Sequence, residues 1–331
     1  MAQQVIDRPV FDYMQAYVTC TIISALEKLG ALDQLAEHGV VPAELGYEEF
    51  LGNATFRYLA ERGIVRQDGN RYVLTESGRD LYNERGYLLW LAGGYGEALN
   101  SLDTLLTRKQ TFGTEVDRDV RWVAVGSALV GEADLRDEVM EILGGIEFST
   151  IGDIGCGNGH FLIDLCRATK AKGVGFDISP AACEEATQEV EKAGFGDRIS
   201  IVQVDATDVD SVPHLEDIDL VMAFFFMHEV LELGHDVLVN YLTRTCERLP
   251  AGAYVLTCEV APPTQSEDTA EAFGPEYVYT QALMSQGLMN GDQWSAAFTE
   301  AGFRVDRIVE GRLPGSRLIL VRKPLAESSA G

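Results

Sequence analysis

The sequence predicts an α/β protein: a doubly wound, mainly parallel sheet in the C-terminal half, preceded by a mostly helical, winged-helix-like N-terminal domain. Three observations carry this. From residue 148 onward, short apolar runs of β type alternate with longer helical patterns. The first of those runs ends in Gly155-Cys156-Gly157-Asn158-Gly159, a strand-to-helix turn that lets a ligand lie against bare backbone. Ahead of them, residues 1–100 hold short helical patterns and one hairpin.

In chain order, Phe11, Met14, Tyr17, Val18, Ile22, Leu26 and Leu29 recur at helical spacing and predict a helix over 9–30. A short helix follows over 31–35, then two more over 42–51 and 54–63, joined by Gly52-Asn53. Residues 64–74 read as a hairpin with Asp68-Gly69 in its turn. Helices followed by a hairpin describe a winged-helix unit. Its last helices carry Glu44, Glu48, Glu49 and Glu61 against Arg57 and Arg62, so no basic recognition face exists, and a dimerisation or lid role is expected. The segment 87–96 is aromatic and glycine-rich, which suits a pocket wall. Residues 101–147 read as a helical linker ending at Gly144-Gly145, and 148–331 as the catalytic domain.

In that domain the expected strands are 149–154, 172–176, 199–204, 215–224, 253–259, 303–309 and 317–322. The helices between them are expected at 159–169, 180–193, 238–248 and 291–301. Ligands of such a sheet bind at the carboxyl ends of its strands.

The chain has 331 residues and a formal charge of −26, a field that repels nucleic acid and anionic membrane. No apolar run is long enough to span a bilayer. Six cysteines lie scattered without the spacing of a zinc knuckle or a redox pair, and Met1 to Val5 lack the features of a signal peptide. A cytoplasmic, reduced protein is expected.

Two ligand classes compete for the glycine turn. A dinucleotide needs G-x-G-x-x-G, and here His160 stands at the third glycine position. Asp153 brings negative charge to the turn, which suits an ammonium or sulfonium better than a phosphate. Asp177 ends the next strand, where a carboxylate can accept both ribose hydroxyls. Asp205, followed by Ala206, ends the third and can accept from an adenine amino group. At the fourth strand's end, Phe224-Phe225-Phe226-Met227 leads into His228-Glu229, two polar residues after a fully apolar run. Glu259 ends the fifth strand. His228, Glu229 and Glu259 are the catalytic candidates.

From Asp153 to Gly159, Gly175 to Ser179 and Asp205-Ala206, residues 148–323 resemble the class I S-adenosylmethionine-dependent methyltransferases. The resemblance implies a Rossmann-like sheet of seven strands with the last antiparallel, and S-adenosylmethionine held by Asp153, Gly155, Gly157, Gly159, Asp177, Ile178, Asp205, Ala206 and Phe224. It also implies a homodimer acting on a small molecule.

More narrowly, the whole chain resembles the α-keto acid C-methyltransferases of specialised metabolism. In that family a metal ion, held partly by two histidines, chelates the keto acid and eases enolisation. His228-Glu229 matches the first histidine and its acidic neighbour, which makes His228 a metal candidate for a divalent or ferric ion. Gln281 stands where the second histidine would be, and glutamine is a poor ligand beside imidazole. Either the metal is lost, or Glu229 or Glu259 completes a harder site. Arg118-Asp119 matches an arginine–aspartate pair in which the arginine can bind a carboxylate. With Arg118, the expected substrate residues are Tyr17, Trp90, Tyr95, Tyr277 and Gln281. The favoured reaction is carbon methylation of an α-keto acid; the alternative is N- or O-methylation of an amino acid, guanidino compound or phenol. An NAD-dependent oxidoreductase is the reading outside this class.

Overall fold

A strand buried on both faces of a parallel sheet is mostly apolar, and the central strands of this chain meet that condition apart from the buried polar residues Asp153, Thr257 and Glu259. The computed structural model describes residues 8–262, 274–313 and 315–325. The predicted frayed tail beyond Leu325, the N-terminal Met1 to Val5 and Phe273 lie outside them. The chain divides into two compact units, Met1–Ala133 and Asp134–Gly331. The stretch 101–147, expected as a linker, is thus shared between them.

In the first unit the long helix Pro9–Lys28 starts with proline at its first turn and is followed by the helix Ala31–Glu37. Of the helices expected at 42–51 and 54–63, only one forms. Pro42–Glu44 is a single 3-10 turn, and one helix, Glu49–Glu61, runs straight through Gly52-Asn53. The cause is a cap: the Glu48 carboxylate accepts from the N–H groups of Phe50 (3.1 Å) and Leu51 (2.6 Å) and fixes the helix start there. The strands β1 (Val65–Asp68) and β2 (Arg71–Leu74) form the hairpin, with Gly69 at φ +64° in the turn. Ile23, Leu26, Leu32, Leu35, Phe56 and Leu59 build the core between helices and hairpin. The remaining helices include Glu76–Asn83 and Val120–Val130.

The second unit holds a seven-stranded sheet: β3 (Thr150–Ile154), β4 (Lys172–Asp177), β5 (Ile199–Gln203), β6 (Leu220–Phe224), β7 (Tyr254–Val260), β8 (Arg304–Glu310) and β9 (Ser316–Arg322). The order is β5-β4-β3-β6-β7-β9-β8, with β9 antiparallel to both its neighbours. Strands β3, β6 and β7 are nearly all buried, whereas the edge strand β8 is largely exposed and charged. The fourth strand begins later than expected. Leu215–Asp217 is a 3-10 turn, and Asp219 is held at the sheet's start by accepting from the N–H groups of Ser149 (2.9 Å) and Thr150 (3.2 Å). Helices His235–Arg248 and Gly291–Glu300 cover one face, packing Leu238, Tyr241, Leu242, Trp294 and Phe298 against it.

Because β3 pairs with both β4 and β6, the strand order reverses beside it. That reversal opens a crevice at the carboxyl ends of the strands. The registers Ile154↔Phe176 and Phe224↔Cys258 align the ends of β3 with β4 and of β6 with β7.

Candidate active site

Three glycines shape the turn after β3. Gly155, Gly157 and Gly159 have φ of +75°, +53° and +76°, a region that L side chains avoid. A Cβ added at Gly155 or Gly157 would meet no atom within 4 Å, so backbone there faces open space. Gly159 has a different task. Its missing Cβ would sit 3.3 Å from the Ala186 Cβ, which lets the helix His160–Thr169 pack closely on Pro180–Lys192. Behind the turn, the Cys156 thiol occupies the space that a side chain at Gly175 would need. Burial pushes that thiol's pKa up and leaves it a packing group.

The acids at the strand ends differ in their surroundings. Asp177 Oδ2 accepts from Gly157 N (3.0 Å) and Oδ1 from Ser179 N (2.9 Å), so the carboxylate ties the turn to the end of β4. Each oxygen keeps a second lone pair for a ligand hydroxyl. Ile178, next to it, is 63% exposed, a large apolar side chain placed beside the cradle. Asp205 Oδ1 accepts from both the N–H (3.0 Å) and the hydroxyl (2.6 Å) of Thr207, and Ala206 is buried. Phe224 packs edge-on against Phe161 at 5.6 Å between ring centroids.

Asp153 is buried inside β3, and no hydrogen bond to its carboxylate is found among the described residues. Burial, and then the neighbouring Asp177 carboxylate, push its pKa up to about 7. A buried acid beside a second acid is a poor neighbour for phosphate and a good one for a cation. The cradle, the exposed Ile178 and this acid fit S-adenosylmethionine.

The second cluster lies across the crevice. Phe225 follows β6 at φ +53°, a strained conformation for a phenylalanine, and its N–H donates to Cys258 O (2.9 Å). The turn brings Met227–Glu232, a short helix, over the end of β7. Glu259 is fully enclosed: its Oε1 accepts from Met227 N (2.7 Å) and its Oε2 lies 2.8 Å from His228 Nδ1. With Glu259 ionised, Nδ1 carries the proton and the neutral imidazole presents its lone pair at Nε2. His228 is buried, with Glu229 Oε1 at 3.8 Å from Nε2 and the Tyr277 ring edge-on at 6.4 Å. Tyr277 and Gln281, both buried, sit one turn apart on the helix Gly274–Leu283. The structure thus unites His228, Glu259 and Tyr277, with Gln281 one turn beyond. Such an arrangement can take a proton from a substrate and hold the imidazolium against a carboxylate.

Among the described residues, the one set of three His, Cys, Asp or Glu ligand atoms lying within 4.8 Å of one another is exposed His214, Glu216 and Asp217. It precedes β6, at the amino ends of the parallel strands and away from the crevice at their carboxyl ends. His228, Glu229 and Glu259 form no such set, and Glu259 is already committed on both oxygens. These donors do not fit a three-ligand ion.

The other expected substrate residues belong to the first unit. Tyr17 is exposed, its hydroxyl donating to Asn100 Oδ1 (3.2 Å). Trp90 and Tyr95 are buried against each other at 4.9 Å. Arg118 Nη1 donates to the Tyr95 hydroxyl (3.4 Å), and Asp119 caps the helix Val120–Val130. Phe225 and Met227 were not anticipated from sequence. Their contribution is made by backbone, which an apolar run does not advertise.

A family model described as a methyltransferase domain matches residues 151–248. The chain is similar to an indolepyruvate C-methyltransferase of Streptomyces griseus, 29% identical over 302 residues that cover 88% of this chain and 87% of that relative. It shares its fold with the mitomycin 7-O-methyltransferase MmcR (TM-score 0.66, 16% identity, 95% of this chain and 97% of the other). The same holds for CalO1, a methyltransferase in calicheamicin biosynthesis, in its SAH-bound form (TM-score 0.61, 20% identity, 97% and 100%). The matched domain spans the glycine cradle and the strand-end acids, whose charge suits a sulfonium and not a pyrophosphate, and residues 151–248 carry an S-adenosylmethionine-dependent methyltransferase domain.

Proposed function

We propose that the enzyme methylates the carbon next to the keto group of a small α-keto acid in specialised metabolism. The observation that carries this reading is the buried His228–Glu259 pair, a base held by a carboxylate at the carboxyl ends of β6 and β7. The likeness to an indolepyruvate C-methyltransferase supports the substrate class. Bound S-adenosylmethionine supplies an electrophilic methyl group on sulfur. His228 Nε2 takes a proton from the carbon adjacent to the carbonyl, and the electron pair left there is the nucleophile. Glu259 balances the imidazolium that results, and the proton leaves later to solvent. Tyr277 walls the imidazole and excludes water from it.

On the first unit, Arg118 is the candidate partner for the substrate carboxylate, and Arg118→Ala should raise KM for the acid about tenfold or more. The partner protein in this reading is a second copy of the chain. Phe11, Met14, Tyr17 and Val18 leave the outer half of the first helix apolar and exposed.

N- or O-methylation remains the alternative for the same base. A methyl-transfer screen over α-keto acids, amino acids, guanidino compounds and phenols decides between them, with and without a chelator. Keto acids should be methylated in both conditions. Turnover confined to amines or phenols would refute the reading.

A further inference from the structure

Gln281 is 2% exposed, yet among the described residues its side-chain carbonyl oxygen accepts no hydrogen bond. Its backbone carbonyl, by contrast, accepts from both Met284 N (3.1 Å) and Gln286 N (3.0 Å), which fixes the residue at the end of its helix. A buried acceptor without a donor is costly, and native proteins keep one where a ligand completes it. The location agrees. Gln281 stands four residues after Tyr277, so both project from one helix face, and the Tyr277 ring meets His228 edge-on.

We propose that Gln281 is a specificity residue whose Oε1 accepts a hydrogen bond from an N–H or O–H of the methyl acceptor. Two parts of an α-keto acid offer that chemistry. One is a donor on the side chain, such as an indole N–H; the other is the hydroxyl of the enol tautomer. The inference rests on the keto-acid reading for the choice of substrates and goes beyond it by naming the group recognised.

The test compares indole-3-pyruvate with its benzothiophene analogue, which keeps the shape and loses the N–H, in wild type, Gln281→Met and Gln281→Glu. A side-chain donor predicts that wild type prefers the indole by about 10- to 100-fold in kcat/KM. Gln281→Met should abolish that preference, and Gln281→Glu, which keeps an acceptor, should retain it. An enol hydroxyl predicts no preference in wild type and an equal loss on both substrates in Gln281→Met. Unchanged S-adenosylhomocysteine affinity reports that each variant is folded. Equal, undiminished turnover of both substrates by folded Gln281→Met overturns the inference. If wild type methylates neither keto acid, the keto-acid reading fails instead. The same comparison on tryptophan and benzothienylalanine, read by binding to the S-adenosylhomocysteine complex of wild type and Gln281→Met, then decides the inference: equal binding of both that Gln281→Met leaves unchanged overturns it.

Discussion

Burial within β3, beside a second acid, makes the ionised form of Asp153 costly. Its pKa is raised from 3.8 to about 7, so its contribution to folded stability is fully present below pH 4 and is lost as pH rises through 7. A cationic cofactor reverses the preference by favouring the ionised acid. Cofactor affinity should therefore rise with pH, by up to about tenfold per unit, between pH 5 and 7 and then level off. Calorimetry across that range checks this, and Asp153→Asn should bind more weakly with no such slope. At the base, His228→Ala should lower kcat by about 10²- to 10⁴-fold while leaving S-adenosylhomocysteine affinity intact. Full turnover by that variant would remove His228 from the chemistry. Asp177 and Asp205 stand out in the sequence because each follows an apolar run, and Asp153 because it is an acid set inside one, two residues before the glycine turn. The bond between His228 and Glu259 was not legible, since 31 residues separate them and only the β6–β7 register brings them together.

Among elements, the turn after β3 concentrates the backbone demands. Gly155 and Gly157 face open space, whereas Gly159 serves helix packing, a division that spacing alone could not reveal. Gly157→Ala places a side chain at φ +53° and in the ligand's space. It should cost about 1–2 kcal/mol in folding stability and a larger share of cofactor affinity. Thermal melts with and without S-adenosylhomocysteine separate the two effects. The turn after β6 uses strain differently: Phe225 adopts a left-handed conformation so that Met227 N can reach Glu259. The helix through Gly52-Asn53 shows why glycine misled at this scale. There a capping carboxylate at Glu48 outweighs the weak helix propensity of two residues.

For the whole molecule, the sequence conveyed the sheet better than the boundaries. Seven strands and the reversed last one follow from the alternation and the resemblance, because the central strands are short, mostly apolar and buried. The division into two compact units at Ala133 is not marked by a glycine or proline cluster in the sequence. Among the described residues no helix is long and apolar enough to cross a membrane. The exposed apolar face of the first helix is the surface that the proposed second copy would cover. Met14→Glu with Val18→Glu should convert a dimer into a monomer in analytical ultracentrifugation, and a wild type that sediments as a monomer would contradict the second-copy assignment.

The central proposal is that the methyl group goes to carbon. Incubation of indole-3-pyruvate with the enzyme and S-adenosylmethionine labelled with ¹³C in its methyl, followed by NMR of the product, tests it directly. The predicted result is a labelled methyl coupled to a single proton on the carbon beside the keto group, absent with His228→Ala. A labelled methyl on oxygen or nitrogen, or none under conditions where another substrate class is methylated, would contradict it.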